Sequence, residues 1–467
     1  MSRYIAVIDL GKTNSKVALV DAHEATELTV ETQPAQTRQT DGYTSLDSDA
    51  IEAFIKSSLR KLARFHQLDA ITVTTHAATA GLVDINGQLA LPVMDYEFQG
   101  VDDLSEQYNA ARPDFSETGS PRLPGGLNLG AQLFWQQQFL PERFACARYM
   151  LTWPQYWVQR LCGAYYNDVT SLGAHTDLYA PHARQFSSLV ASQLWSELMP
   201  PLANSGDSLG NLTEPWCNAT GLAPTTTVHT GIHDSNASLV PHLLGADGAF
   251  SVISTGTWII CMSVGGQSVP LDESRDCLFN VNAWGDPVSS ARFMGGRERE
   301  LILQQESSTQ ATMDQTEAFE HLLATEPSSQ ALLMPTVVQQ AGPYPEASWC
   351  WLKSEATCCP AQRACCISLY LALMSADCLS RIGSEGPIHV EGPSAHDAVF
   401  TAMLMAITGR PVMVSQAETG TSVGAAMLVT RPLQLPENRA IKLSPDKQRW
   451  LQSYAQCWRQ ALEEHLT

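Results

Sequence analysis

Three short strings hold residues whose types and spacing suit phosphate chemistry. Residues 5–21, IAVIDLGKTNSKVALVD, place Asp9 at the end of an apolar run, followed by Gly11, Lys12, Thr13 and Asn14. The Gly-Lys-Thr string also ends the phosphate loop G-x-x-x-x-G-K-[ST]. Here Ala6 stands where that motif needs its first glycine, and residues 16–20 are short and β-branched, which predicts a return strand rather than a helix. A tight turn of small and hydroxyl residues can still aim backbone N–H groups at a phosphate. An aspartate at the strand end can hold magnesium, directly or through water. The competing reading is a hairpin whose Asp9 caps its own turn. Residues 249–262, AFSVISTGTWIICM, replay the pattern, with Thr255, Gly256 and Thr257 in the turn. Between the two lies Gly231-Ile232-His233-Asp234, after a strand-like run and before four small residues. Asp234 reads either as a carboxylate able to take a proton from a hydroxyl or as the N-cap of a helix over 235–244.

An α/β chain must position these groups. Residues 50–66 have helical spacing, with Ile51, Phe54, Ile55, Leu59 and Leu62 on one face. Residues 70–75 read as a buried strand, 82–90 as a hairpin with an Asn-Gly turn, and 130–139 and 153–161 as helices. Trp153 and Trp157, four apart on one face, read as core. Residues 97–130, rich in Gly, Pro and polar types, are expected to wander over the surface near a site. After the replayed turn come a helix near 363–382, a strand at 388–390, a helix at 395–408, a strand at 411–414 and a small-residue helix at 421–430. The second half repeats the first: an early hairpin, then alternating helices and strands. A duplicated α/β domain with a cleft between the halves is the simplest account. The linker is expected near 238–248, where Pro241 and Gly245-Ala246-Asp247-Gly248 punctuate the chain, giving domains 1–242 and 243–467. Residues 304–316, rich in Gln, Ser and Thr, read as a helix or a lid.

Composition bounds the function. A chain of 467 residues exceeds one ordinary core, and 44% hydrophobic content supplies a large one. The net charge of −20 argues against nucleic acid and anionic membrane surfaces as partners. Met1-Ser2-Arg3 leads straight into a strand, and no uninterrupted apolar stretch approaches the ~18 residues of a membrane span, so a cytoplasmic protein is expected. Twelve cysteines fit a reducing compartment. The contiguous pairs Cys358-Cys359 and Cys365-Cys366 lack the spacing of zinc ligands and read as small buried hydrophobes near a helix.

Taken in order, four segments resemble the FGGY family of carbohydrate kinases over nearly the whole chain. Residues 9–16 (DLGKTNSK) resemble its first phosphate motif, 231–234 (GIHD) the segment with its catalytic aspartate, and 254–258 (STGTW) its second phosphate motif. Residues 390–394 (VEGPS) with 418–426 (ETGTSVGAA) resemble the adenosine motif and its closing helix. Ser-Thr-Gly-Thr-Trp and the His-Asp pair point within the family toward the L-rhamnulose and L-fuculose kinases. The resemblance implies two duplicated ribonuclease-H-like domains of the actin and hexokinase type with an interdomain cleft. It implies ATP-dependent phosphorylation of a sugar hydroxyl, with Asp234 as general base, His76 and His233 as sugar contacts, and Asp9 holding Mg²⁺. Gly11, Lys12, Thr13, Asn14, Thr255, Gly256 and Thr257 would meet the phosphates, and Gly392, Ser394 and Gly420 the adenosine. Sugar and nucleotide are the implied partners. Many members self-associate, which leaves a homo-oligomer open. A kinase for a pentulose or polyol, a non-catalytic sugar or nucleotide sensor, and an actin-like assembly protein are the alternatives.

Overall fold

The computed structural model describes residues 3–40, 42–305, 314–339, 341–353, 359–415 and 420–466. Cys358, Glu418 and Thr419, and residues 306–313 of the expected helix or lid, lie outside the described residues. The chain divides into two units: Met1–Gly245 with Phe279–Pro287 and Glu418–Pro436, and Ala246–Leu278 with Val288–Ala417 and Glu437–Thr467.

In the first unit, β1 (Tyr4–Leu10) turns back into β2 (Asn14–Asp21), the predicted return strand, and β2 continues to the exposed edge strand β3 (Thr26–Pro34). On its other side β1 lies parallel to β4 (Ala70–Thr75). Two further strands, β5 (Thr227–His229) and the two-residue β6 (Ile232–His233), also run parallel to β4. Strand period two sorts β1 onto two cores. Ala6, Ile8 and Leu10 pack with Ile51, Ile55 and Leu59 of α1 (Ser48–Leu62) and with Trp153 and Trp157 of α2 (Trp153–Cys162). Both tryptophans are therefore core. Ile5 and Val7 pack on the opposite face with Ile232, Ala237 and Val240.

Residues 82–90 fold back as expected: Val83 bridges Leu89 in antiparallel register, and the Ala90 N–H donates to the Leu82 carbonyl at 2.8 Å, while Ala80–Val83 also pairs with Tyr149–Thr152 on its other side. The Asn-Gly turn of this short hairpin is closed by Asp84, whose side chain accepts from the Asn86 and Gln88 N–H groups and whose own N–H donates to the Gln88 carbonyl at 2.8 Å. The chain passes from the first unit to the second at Gly245–Ala246, inside the expected 238–248 stretch, but most of that stretch is helix and not loop: α3 spans Asp234–Gly245 with Pro241 inside it. Proline removes one helical N–H without breaking the helix when neighbouring packing holds both sides.

The second unit repeats the plan. β7 (Phe250–Thr255) turns back into β8 (Ile259–Val264), which pairs with β9 (Pro287–Phe293). β7 lies parallel to β10 (Ile388–Glu391), and β10 lies parallel to β11 (Val412–Ser415). Packed with them are α4 (Pro360–Arg381) and α5 (Ala398–Thr408). α4 is long and apolar enough by composition to cross a membrane, and 78% of its most apolar stretch is buried as a core helix. Cys365 and Cys366 are fully buried in it.

One helix breaks the sequential order. α6 (Thr421–Val429) comes late in the chain, yet it packs in the first unit against α3 and β1. Its Gly424 meets α3 so closely that a Cβ there would lie 1.9 Å from the Ala237 carbonyl oxygen.

Candidate active site

Three parallel strands of the first unit end together. Asp9 pairs with Thr74, and Ile232 and His233 pair with Thr74 and Thr75. The His76 N–H donates to the Leu10 carbonyl at 3.1 Å. The carboxyl ends of β1, β4 and β6 thus deliver Asp9, His76 and the His233-Asp234 pair to one edge, where open α/β sheets bind ligands.

Asp9 shares the face of Ile5 and Val7, so it points toward α6. It is 4% exposed, and its Oδ2 accepts from Thr421 Oγ1 and lies 3.4 Å from Lys16 Nζ. Burial raises the Asp9 carboxyl above its ordinary value; Thr421 and Lys16 work against that rise, and the charge of Asp234 adds to it. Oδ1 accepts no hydrogen bond among the described residues. Hard oxygen with one open lone-pair face suits Mg²⁺, which keeps several waters and needs few protein ligands. The Gly11-Lys12-Thr13-Asn14 turn is closed by the Gly11 N–H on the Asn14 carbonyl at 3.0 Å, so that donor is spent within the turn. The Lys12 ammonium is not extended into solvent; it rests on Asp95 and over the Tyr96 ring.

Asp234 opens α3. The Ser235 N–H donates to its Oδ1 at 2.6 Å, and His233 Nε2 lies 3.1 Å from the same oxygen. Its side chain remains 27% exposed. Burial pushes this carboxyl up, but the His233 hydrogen bond, with help from the Ser235 N–H, outweighs it and holds the group below the usual aspartate value. Asn236 Nδ2 lies 3.1 Å from His233 Nδ1, and the His233 N–H donates to Thr170 Oγ1 at 3.0 Å. With Asn236 donating to Nδ1, the imidazole proton sits on Nε2 and faces Asp234. His76 Nδ1 lies 2.9 Å from the Ala77 carbonyl oxygen and 3.4 Å from Thr79 Oγ1, and burial lowers its pKa. Gly231 is required here: its φ is +79° and a Cβ would meet the Val73 carbonyl oxygen at 2.7 Å.

The second unit brings the other expected group together. Thr255 ends β7 and its Oγ1 donates to the Glu391 carbonyl at 2.6 Å, while the Ser394 N–H donates to Thr255 Oγ1 at 3.0 Å. Between them Gly392, with φ +75°, passes so close that a Cβ would lie 2.0 Å from the Thr255 carbonyl oxygen. The Gly256 N–H closes its turn on the Trp258 carbonyl at 2.9 Å, and the N-terminus of the helix Gly295–Gln305 abuts that turn. Trp258 itself stacks under Arg292, 4.9 Å from the ring centroid, so its indole has a packing partner of its own. Next to the Pro393–His396 turn opens a cleft of about 940 Å³ lined by Ala395, His396, Val414, Arg439 and Lys447. Gly420, expected with the adenosine residues, caps α6 and adjoins Thr421.

Sequence reasoning missed Thr421, Asn236, Thr170 and the Asp95–Glu97 triplet. Thr421 stands 412 positions from Asp9 and carries no local mark beyond following a glycine. The triplet did carry a signal: two acids flank an aromatic at the start of the Gly/Pro-rich stretch.

Comparison with known proteins identifies the family. The profile described as the FGGY family of carbohydrate kinases, N-terminal domain, matches residues 4–241, and the carbohydrate kinase FGGY C-terminal domain matches 247–438. An L-fuculokinase of Salmonella typhi is 27% identical over 273 residues, a stretch that spans 56% of this chain and 57% of that one. A carbohydrate kinase from Novosphingobium aromaticivorans superposes with a TM-score of 0.90 at 34% identity, covering 100% of both chains. A ligand-bound xylulose kinase from Lactobacillus acidophilus shares the fold at TM-score 0.80 and 14% identity, covering 99% of this chain and 98% of that one. With both halves matched in order, the chain belongs to the FGGY family of carbohydrate kinases.

Proposed function

We propose that this protein transfers the γ-phosphoryl group of ATP to a hydroxyl of a neutral ketose, with L-fuculose and L-rhamnulose the leading acceptors. The observation that carries the reading is the convergence of Asp9, His76 and His233-Asp234 at the carboxyl ends of three parallel strands. Phosphoryl transfer needs positioning, charge neutralisation and a proton acceptor. Asp234 is the proton acceptor: it is partly exposed and its depressed pKa keeps it ionised at neutral pH. A low pKa makes it a weak base in the ground state, which suits a loose transition state where the hydroxyl proton leaves late. His233 orients Asp234, and neutral His76 offers Nε2 to a sugar hydroxyl. Asp9 would hold Mg²⁺, which when bound would supply neutralisation of the phosphate charge. Thr13 and Asn14 of the first turn and the Thr255–Thr257 turn supply phosphate donors, and Gly392, Ser394 and the adjoining cleft take the nucleoside. The fuculokinase relative and the Ser-Thr-Gly-Thr-Trp string support a deoxyketose over a pentulose or polyol.

The test is a coupled assay of ADP release with L-fuculose, L-rhamnulose, D-xylulose and glycerol. Asp234→Asn is expected to cut kcat by about 10²- to 10⁴-fold with folding intact. A variant that keeps most of its turnover removes Asp234 from this role.

A further inference from the structure

The Lys12 side chain leaves the phosphate turn and docks elsewhere. Its Nζ donates to Asp95 Oδ1, lies 3.3 Å from Glu97 Oε2 and sits 4.7 Å from the Tyr96 ring centroid. The Tyr96 ring in turn meets the His76 ring edge-on, with centroids 5.4 Å apart. Asp95 is 3% exposed, and its Oδ1 also accepts from the Glu97 N–H at 2.9 Å. Its Oδ2 accepts no hydrogen bond among the described residues. Asp95 Oδ2 is not one of the fully enclosed unpartnered polar atoms, so this oxygen of an otherwise buried carboxylate keeps an open face and a free lone pair for a hydroxyl donor. The charges of Asp234, Lys12 and Asp95 all act on the His76 imidazole, so these groups surround one place.

We propose that Asp95 Oδ2 accepts a hydrogen bond from a sugar hydroxyl, with Lys12 as the positioning residue that holds this carboxylate in place. This rests on the kinase reading above and narrows its acceptor. Asp95 and Glu97 share the Lys12 ammonium, and Asp234 adds a further negative charge beside His76, so the site suits a neutral polyhydroxy compound and opposes a sugar acid. Lys12 thereby serves the sugar and not the phosphates. Its ammonium ties the β1–β2 turn to the segment carrying Asp95 and Tyr96, and so links the position of that turn to the sugar-facing carboxylate.

The test measures KM for ATP and for whichever of L-fuculose, L-rhamnulose, D-xylulose and glycerol the wild type turns over best, with D-gluconate as the acidic probe. Asp95→Asn keeps the shape, Lys12→Met removes the charge, and Lys12→Arg restores it. Loss of a hydrogen bond to a charged group is worth about 10- to 100-fold. Asp95→Asn and Lys12→Met are expected to raise KM for the sugar by that factor with KM for ATP unchanged, Lys12→Arg is expected to recover part of the loss, and D-gluconate is expected to be a poor acceptor. Melting curves check folding, and the split between the two KM values separates positioning from general damage. A rise in KM for ATP in Lys12→Met, an unchanged sugar KM in Asp95→Asn, or efficient turnover of D-gluconate by the wild type overturns the proposal. If the wild type phosphorylates none of the neutral compounds, the kinase reading itself falls. If it does and Asp95→Asn keeps its KM, only the Asp95 assignment falls.

Discussion

Gly424→Ala adds one methyl group where α6 crosses α3, and its consequences can be worked through. The new Cβ would lie 1.9 Å from the Ala237 carbonyl oxygen and 3.5 Å from Pro241 Cδ. The oxygen belongs to the backbone, so no side-chain rotation relieves the clash; the helices must separate by about 1.5 Å to restore van der Waals contact. Overpacking of this kind costs about 1–3 kcal/mol, and a rigid backbone contact belongs at the upper end. Alanine's better helix propensity returns about 1 kcal/mol. The clash wins by about 2 kcal/mol, which lowers Tm by about 4–8 °C for a unit of this size. Activity suffers separately. α3 begins at Asp234 and α6 at Thr421, the hydroxyl bonded to Asp9. A displacement near 1 Å at such groups costs about 10²-fold in kcat. Differential scanning calorimetry and the coupled assay read both effects. A variant with wild-type Tm and wild-type kcat refutes the view that this contact sets the spacing of Asp9 and Asp234.

Asp9→Asn is expected to abolish turnover and yet raise Tm at pH 7. Burial lifts the folded-state pKa of Asp9, so its contribution to stability is present below the unfolded-state value of about 3.9 and is lost as pH rises through the folded value. Removing the charge removes that loss, and the gain should vanish below pH ~4; a variant less stable than wild type at pH 7 contradicts this sign. Gly392→Ala puts a Cβ 2.0 Å from the Thr255 carbonyl oxygen at a φ of +75°. The left-handed conformation alone costs about 1–2 kcal/mol, and KM for ATP is expected to rise with the sugar KM unchanged. An unaltered KM for ATP separates this turn from the nucleotide.

Much of the fold was legible because it rests on local pattern. The run Ile5 to Leu10 alternates between two buried faces, and the polar residue in that alternation is Asp9. Its parity alone assigns it to the face of Ile5 and Val7. What covers that face is supplied from far along the chain, and no periodicity in residues 421–430 says which sheet the helix joins. A helix made of small and apolar residues all round can be buried anywhere. For this reason the sequence boundary at 242/243 places α6 with the C-terminal half, whereas the helix packs in the first unit. Lys12 illustrates the same limit at side-chain scale. Its position in the turn was readable, but a lysine's four-carbon stem lets its charge settle well away from its backbone, and the acids that hold it are more than 80 residues on.

Pro241 shows how a correct local rule can lead to a wrong element. Proline beside a Gly-Ala-Asp-Gly run reads as a linker, because a missing N–H usually ends a helix. In α3 the missing donor is the one that would have bonded the carbonyl four residues earlier, that of Ala237. That carbonyl is the atom α6 approaches at Gly424. The proline therefore bares one acceptor, and a glycine on the opposing helix leaves the room to come close to it. A Cα–H at that distance can offer a weak hydrogen bond in place of the lost one. The two residues form a complementary pair, although they are 183 positions apart by their numbering. The pair sits one to two turns into the helices whose first residues are Asp234 and Thr421. A residue that looked like a break between domains thus belongs to the contact that holds the candidate base and the candidate metal carboxylate side by side within one unit.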